Sequence, residues 1–172
     1  MTVLFHGNFA LVRSRVADLI KLALESPTFK DKELAEPFGY GAPFASIYRS
    51  WSHKTGLSKL GLPLQLTEMG KVVLKNDPTL ASDITQWFLH HELTTDPERA
   101  EAWHYFALEF LPQVKTFTKD ELLDGLAKKL GPHSMQHFGP GSKLNKQIAN
   151  KIIQVYTEPS GLGDLGLITK DG

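Results

Sequence analysis

The segment from Gly39 to Gly56 constrains the fold most, because a glycine-rich turn leads directly into an amphipathic helix. The apolar face of this helix carries Phe44, Ile47, Tyr48 and Trp51. The opposite face carries Ser46, Arg49, Ser50 and His53. A short helix from Lys32 to Pro37 is expected before the turn, which completes the outline of a helix-turn-helix. The second helix of such a unit enters the major groove of DNA.

The flanking segments predict a mainly α fold in winged-helix order. Apolar spacing predicts a helix over residues 10–25, and Thr67 is expected to cap a helix that follows Leu66. Between Leu60 and Leu66, leucines alternate with glycine and proline, which favours a short strand or wing. We therefore expect an N-terminal winged-helix-like DNA-binding unit over residues 1–76.

Residues 77–172 are expected to form a second helical unit of similar order. Asp77-Pro78 and Asp96-Pro97 each have the form of a helix start, and Thr118 to Glu121 has the form of a capping box. The helix opened by Asp77-Pro78 is expected to bury Leu80, Ile84, Trp87, Phe88 and His91. The last helix is expected to present Lys143, Gln147, Asn150 and Gln154 outward. The glycines between 157 and 168 suggest a second wing, so the predicted architecture is tandem winged-helix-like units with short β-hairpin wings.

Charge and composition narrow the classes of function. Up to Asn76 there are ten basic and six acidic residues, whereas from Asp77 to Gly141 there are five basic and ten acidic residues. A phosphate-binding surface is therefore expected in the first segment. The chain has no cysteine, which excludes disulfides and thiolate zinc sites and favours the reducing cytoplasm. No apolar run approaches the length that spans a membrane, so no membrane partner is expected.

Arg49 is the leading candidate for base recognition, because a guanidinium can donate two parallel hydrogen bonds to guanine. The basic and hydroxyl residues around it are expected to contact bases or phosphates. The alternative is that they form ordinary solvated faces of core helices. The predicted DNA-binding residues are Arg13, Arg15, Ser46, Arg49, Ser50, His53 and Lys54.

No recognisable motif assigns a catalytic residue. The run His90-His91-Glu92 lacks the one-turn separation between two histidines that helical zinc sites use, and His91 falls on the expected apolar face. Carboxylates that could hold magnesium in a nuclease are available, but their spacing matches no nuclease motif. These carboxylates are Asp77, Asp83, Glu92, Glu101 and Glu109.

Several separated motifs follow the order and spacing of one family over most of residues 5–130. They are Phe5-His6-Gly7 with Phe9 and Arg13; Gly39-Tyr40-Gly41 with Ile47 and Trp51; Leu66-Thr67 with Gly70; Asp77-Pro78 with Leu80, Thr85, Trp87, Leu89-His90 and Leu93; and Ala102-Trp103. In these motifs the chain resembles the SspB family, a bacterial domain of formerly unknown function associated with DNA phosphorothioation. This family is unrelated to the protease adaptor of the same name.

The resemblance implies a cytoplasmic protein of an anti-phage phosphorothioation system that acts on double-stranded DNA. Its implied partners are a cysteine desulfurase, an ATPase and a sulfur-transfer enzyme. It further implies action as, or within, a DNA nickase that opens one strand for sulfur insertion. A divalent metal, magnesium or manganese, is expected only if the chain is such a nickase.

The resemblance also has a departure. Asn8 leads directly to Phe9, where the family often carries an acidic and a hydroxyl residue, so no catalytic role is assigned to this segment. Family members are usually longer, which makes an N-terminal fragment of a longer protein the expectation. Two alternatives to a nickase stay open: a non-enzymatic interaction scaffold of the same system, and a winged-helix transcription regulator.

Overall fold

The computed structural model describes residues 3–170, and its regular secondary structure is helical. The α-helices are α1 (Arg13–Glu25), α2 (Asp31–Ala35), α3 (Ala42–Lys54), α4 (Glu68–Asn76), α5 (Asp83–Thr94), α6 (Pro97–His104), α7 (Lys119–Leu130), α8 (Met135–Phe138) and α9 (Lys143–Thr157). The 3-10 turns are Glu36–Phe38, Leu111–Gln113, Gly131–His133 and Gly163–Leu165, and α6 continues into a π-helical segment, Tyr105–Phe110. The prediction of a mainly α protein is thus confirmed.

The predicted β-hairpin wings are wrong. Across residues 3–170 the backbone forms no strand, and its single β-type bridge joins Ser58 to Leu66. Gly61 between them has a φ of 110°, and Pro63 has no N–H to donate, so the alternating leucines cannot extend the bridge into a ladder. The second expected wing, over 157–168, is a 3-10 turn instead. The tandem winged-helix architecture is therefore incorrect.

Three of the predicted helix starts are confirmed. The Thr67 hydroxyl accepts a hydrogen bond from the Gly70 N–H at 2.8 Å and caps α4. The Asp96 carboxylate caps α6. Thr118 and Glu121 form the reciprocal capping box of α7, in which the Thr118 N–H donates to the Glu121 carboxylate at 2.6 Å. These starts were predictable because each cap lies within three residues of its partner.

The predicted helix start at Asp77-Pro78 is wrong. The Asp77 carboxylate accepts from the backbone N–H groups of Ala81 and Ser82, at 3.0 and 2.9 Å, and so closes a turn. Within that turn Leu80 has a φ of 56°, which no helix permits. Helix α5 begins five residues after the predicted position, with Ser82 as its cap.

Helix α5 also faces the core differently from the prediction. Ile84 is 84% exposed and Trp87 is 49% exposed, and His91 is exposed as well. The side chains that α5 buries are Thr85, Gln86, Leu89, Leu93 and Thr94. The expected core position of Ile84, Trp87 and His91 is therefore wrong.

The buried side chains from Val3 to Leu162 form one hydrophobic cluster. Helix α3 packs on α1 and α2, α5 packs on α6, and α9 packs on α7 and α8. Trp51 of α3 meets Trp103 of α6 edge to face, with ring centroids 5.3 Å apart. The core thus crosses the predicted boundary at residue 76, and the division into units over 1–76 and 77–172 stays a prediction. No helix in the described range has the length and hydropathy needed to cross a membrane.

Candidate nucleic-acid interface

Helices α2 and α3 and the turn between them have the order expected of a helix-turn-helix. Gly39 ends the first part with a φ of 74°, a left-handed conformation that favours glycine. The Tyr40 ring stacks on Phe44 with centroids 4.5 Å apart, and the Arg15 guanidinium lies 5.6 Å from the Tyr40 centroid. The buried face of α3 is Phe44, Ala45, Tyr48, Trp51 and Ser52, which confirms the predicted amphipathic helix.

Arg49 is engaged by the neighbouring helix. Its Nε and Nη2 donate to the two carboxylate oxygens of Asp31 on α2, at 2.7 and 2.8 Å. The Arg49 side chain is only 15% exposed. Two of the donors that base recognition would need are thus used within the protein, and the predicted role of Arg49 stays a prediction.

The other predicted residues of α3 also have partners nearby. The Ser50 hydroxyl donates to the Ser46 carbonyl at 3.1 Å. His53 Nδ1 donates to the Ser58 carbonyl at 3.2 Å, and burial lowers the pKa of His53. Burial lowers the pKa of Lys54 too, and the positive charge of Arg99 lowers it further. These side chains are half-buried and are not a freely solvated face.

Arg13 lies in the core, where it is 8% exposed. Its guanidinium donates to the carbonyls of Gly161, Leu80 and Pro159, at 2.5, 2.6 and 2.7 Å. Asp164 lies 3.4 Å away and supplies the compensating charge. Arg13 therefore fastens the start of α1 to two distant segments, and this placement does not leave it facing a phosphate. Arg15, by contrast, is half-buried at the surface.

The N-terminal loop, defined as residues 4–9, lies against α3 and α6. The Phe5 ring meets Trp51 edge to face at 4.8 Å, and Lys54 Nζ lies 5.6 Å from the Phe5 centroid. His6 is fully buried and meets Trp103 edge to face at 6.1 Å. The Phe5-His6-Gly7 motif is thus an anchor for this loop.

Helix α9 holds the other side of the N-terminal loop. Gln147 Nε2 donates to the Gly7 carbonyl at 2.6 Å and to the Asn8 side-chain oxygen at 2.7 Å. Gly7 has a φ of 47°, and a Cβ there would lie 2.6 Å from the Ile47 side chain, so the position requires glycine. The loop therefore lies between α3 and α9 and contacts both helices.

A basic surface runs along α9 beside this loop. Its lysines are at positions i, i+3 and i+8 of one helix, so they share a face. They line an open depression of about 430 Å³ with three amide side chains, and no carboxylate of residues 3–170 lines it. We call this surface the α9 lysine face; it consists of Lys143, Lys146 and Lys151 with Asn8, Gln147 and Asn150.

Sequence reasoning identified the polar face of α9 but did not assign it to binding. The charge comparison over residues 1–76 and 77–141 ends before α9, so the local excess of lysines falls outside both intervals. The signal that could have found it was three lysines and no acid from Lys143 to Thr157. The same interval buries Ile148, Ile152 and Val155 on its opposite face, which identifies the lysine side as the outer one.

The sequence leaves the metal ligands unassigned, and the structure shows where the candidate carboxylates lie. Within 3–170, no group of three or more His, Asp or Glu side chains is positioned to hold a metal ion. The carboxylates that a nuclease would need are instead dispersed in separate pairs. Glu92 pairs with Arg99, Glu101 with His133, and Glu109 with Lys129.

The two adjacent histidines of α5 diverge, as their helical positions require. His90 Nδ1 lies 2.8 Å from the Tyr156 hydroxyl in a hydrogen bond, and burial lowers the pKa of His90 to about 4. His91 points to solvent. The two side chains therefore do not point towards a common metal position.

Comparison with known proteins gives a family and a fold. The family model described as "Protein of unknown function (DUF4007)" matches residues 14–167. No curated protein matches the chain. The magnesium ion-bound crystal structure of SspB is similar, with a TM-score of 0.59 and 17% sequence identity over 91% of this chain and 48% of that one. The likeness shows a shared fold, and the chain spans about half the length of that SspB.

Proposed function

The chain belongs to the DUF4007 family, and we propose that it is a DNA-binding part of an SspB-like protein. The observation that carries this proposal is the α9 lysine face, where three lysines and three amides meet without an acidic residue among them. The setting of the proposal, a bacterial DNA phosphorothioation system with anti-phage function, rests on the resemblance to the SspB family.

The dimensions of the α9 lysine face suit a nucleic-acid backbone. Lys143 and Lys151 are eight residues apart, so they are separated by about 12 Å along the helix. Phosphates follow one another every 3.4 Å of axis in each strand of duplex DNA. Lysines spread over this length can therefore contact several phosphates. The amides of Asn8 and Asn150 can donate to phosphate oxygens between the lysines.

Lys54 extends the proposed surface on the other side of the N-terminal loop, next to Phe5. Arg13 and Arg49 are outside it, because their guanidinium groups are engaged by carbonyls and by Asp31. This arrangement binds backbone and does not read bases. The alternative of a winged-helix regulator is not supported, because it requires β-hairpin wings that residues 3–170 do not form.

The salt dependence of duplex binding tests the proposal. We would titrate a fluorescent duplex of about two helical turns and follow its anisotropy from about 50 to about 200 mM KCl. The variant K143A/K146A/K151A is expected to bind less tightly. Its slope of log K against log salt should be shallower by about 0.9 for each lysine that neutralises a phosphate.

A matched variant separates this surface from a net-charge effect. K21A/K75A/K128A removes the same charge from exposed positions on α1, α4 and α7. It should retain the slope of the unsubstituted protein. Equal losses in the two triple variants, or no duplex binding at low salt, would refute the proposal.

We assign no strand-cleaving residue, because the described residues offer no metal cluster. The proposal concerns DNA binding alone, and strand cleavage is placed on no residue of 3–170. Incubation with supercoiled plasmid in magnesium or manganese should leave the plasmid closed, and open-circle product that survives repurification would require a revised assignment.

A further inference from the structure

A second concave surface lies between the segment after Leu111–Gln113, helix α9 and the last described residues. Its volume is about 740 Å³. Its floor is apolar, and each of the floor side chains is half-buried, so the groove exposes part of the core. We call it the C-terminal groove; its floor consists of Leu111, Val114, Phe117, Ile153, Leu167 and Ile168.

The rim of the C-terminal groove is basic. Lys115, Lys119 and Lys170 line it and are exposed. Among residues 3–170 no aspartate or glutamate lines the groove, although the chain as a whole has equal numbers of acidic and basic residues. The electrostatic complement of this rim is an acidic ligand with apolar side chains for the floor.

The backbone on both sides of the groove is available for pairing. Residues 115–117 and 167–170 lie outside helices and strands. Within the described part of the chain, their N–H and C=O groups make no hydrogen bonds. Extended peptides bind proteins through main-chain hydrogen bonds together with pockets for alternate side chains, and the groove offers backbone groups and an apolar floor for both.

We propose that the C-terminal groove binds an extended segment of a partner protein in which acidic residues alternate with apolar ones. The apolar side chains would fill the floor, the carboxylates would meet the three lysines, and the backbone would pair with residues 115–117 or 167–170. This inference goes beyond DNA binding and concerns a surface separate from the α9 lysine face.

Selection from a random peptide library tests the proposal, because the selection does not presuppose the sequence of the bound peptide. The immobilised protein would select displayed peptides of about ten residues, which is about 33 Å when extended. Enriched sequences are expected to combine Asp or Glu with aliphatic or aromatic residues. The most enriched peptide, labelled with fluorescein, would then be titrated by anisotropy.

Charge reversal at the rim is the decisive variant. K115E/K119E/K170E should lower the affinity for that peptide by at least about tenfold, which corresponds to 1.4 kcal/mol of binding free energy. The matched variant K143E/K146E/K151E should bind it as the unsubstituted protein does. In NMR titrations the shifts are expected at residues 115–119 and 166–170.

Three outcomes would overturn the inference. They are enrichment of basic or uncharged peptides, peptide affinity that K115E/K119E/K170E leaves unchanged, and no enrichment at all. Sedimentation velocity examines a further occupant: a dimer that dissociates in the same variant would mean that a second copy of the chain occupies the groove. Because K115E/K119E/K170E leaves the α9 lysine face intact, failure here is distinguishable from failure of the DNA-binding proposal.

Discussion

The Arg49 guanidinium and the Asp31 carboxylate form a two-bonded ion pair that joins α3 to α2, with N–O distances of 2.7 and 2.8 Å. Both side chains are largely shielded from water, with exposed fractions of 15% and 23%. The pair therefore joins α3 to α2 and neutralises the charge of Arg49 within the protein.

A double-mutant cycle with Arg49→Ala and Asp31→Ala is expected to show a coupling of about 1 kcal/mol in the free energy of unfolding, because the pair is two-bonded and partly shielded. The measurement is urea denaturation of the four proteins. The double variant should also keep its duplex affinity within about twofold, a difference well below 1.4 kcal/mol. A large loss of affinity in Arg49→Ala that the second substitution does not restore would show that Arg49 contacts DNA directly.

Arg13 is expected to be the charged side chain whose loss destabilises the fold most. Arg13→Met keeps the length of the side chain but leaves the carbonyls of Leu80, Pro159 and Gly161 without their donor. We expect a loss of about 3 kcal/mol in the free energy of unfolding. Hydrogen bonds to charged groups contribute about 1.5–3 kcal/mol each, and water partly replaces the lost donor at the carbonyls. Chemical denaturation measures it.

Arg15→Met is the control for that substitution, two residues away on the same helix. Arg15 lies over the Tyr40 and Phe44 rings at the surface, and a methionine can replace much of that contact. Arg15→Met should lower the free energy of unfolding by less than about 1 kcal/mol, which is the upper range for exposed cation–π pairs. Equal costs at the two positions would contradict the structural role of Arg13.

The stability of the protein should decrease in mild acid because of His6. Burial lowers the pKa of His6 to about 4, the backbone contact with Gly7 acts in the opposite direction, and the charge of Lys151 lowers the pKa further. Nδ1 donates to the Gly7 carbonyl at 3.0 Å, and Nε2 has no hydrogen-bond partner within residues 3–170. His6 is therefore neutral in the folded protein.

The unfolded chain takes up this proton near the ordinary pKa of 6.5, and the folded chain does so near 4. Between these values the unfolded state binds more protons, so stability is complete above pH 6.5 and is lost as the pH falls towards 4. Between about pH 7 and about pH 5, protonation linked to His6 should lower the free energy of unfolding by about 2 kcal/mol. His90, whose pKa is also lowered to about 4 by burial, acts in the same direction.

Denaturation at the two pH values checks this linkage. His6→Gln should reduce the difference in stability between them, whatever its effect at neutral pH. His137→Gln, at an exposed position, should leave the difference unchanged. An unchanged difference in His6→Gln would mean that His6 is not buried as a neutral group.

Local signals made much of the helical framework predictable. Thr67, Asp96 and Thr118 each satisfy backbone donors two or three residues away, so the chemistry of the cap is visible in a short window. Asp77 shows the limit of such reasoning. Its carboxylate also accepts from nearby backbone, but from residues four and five positions on, and this closes a turn where a helix was expected.

The placement of the two predicted arginines was less predictable, because their partners are distant in sequence. Arg49 was expected to face DNA, yet its partner is 18 positions away, and Arg13 bonds to carbonyls up to 148 positions away. No periodicity encodes such pairs. The contact between Gln147 and the N-terminal loop, across 140 positions, is likewise visible only in the folded chain.

Gln147 tests whether the N-terminal loop contributes to DNA binding. Its amide holds Gly7 and Asn8 beside the lysines without adding charge. In Gln147→Leu the loop loses both hydrogen bonds, so Asn8 should leave the α9 lysine face, and duplex affinity should fall about threefold to tenfold, or up to 1.4 kcal/mol. The slope of log K against log salt should not change, because no lysine is removed.

Gln136→Leu is the matched control, since Gln136 is an exposed glutamine of α8 that lies outside the α9 lysine face. It should bind the duplex nearly as the unsubstituted protein does. A shallower salt slope in Gln147→Leu would mean that the loop positions the lysines themselves. Unchanged affinity in Gln147→Leu would confine the binding surface to α9, with the Phe5-His6-Gly7 motif acting only in the core.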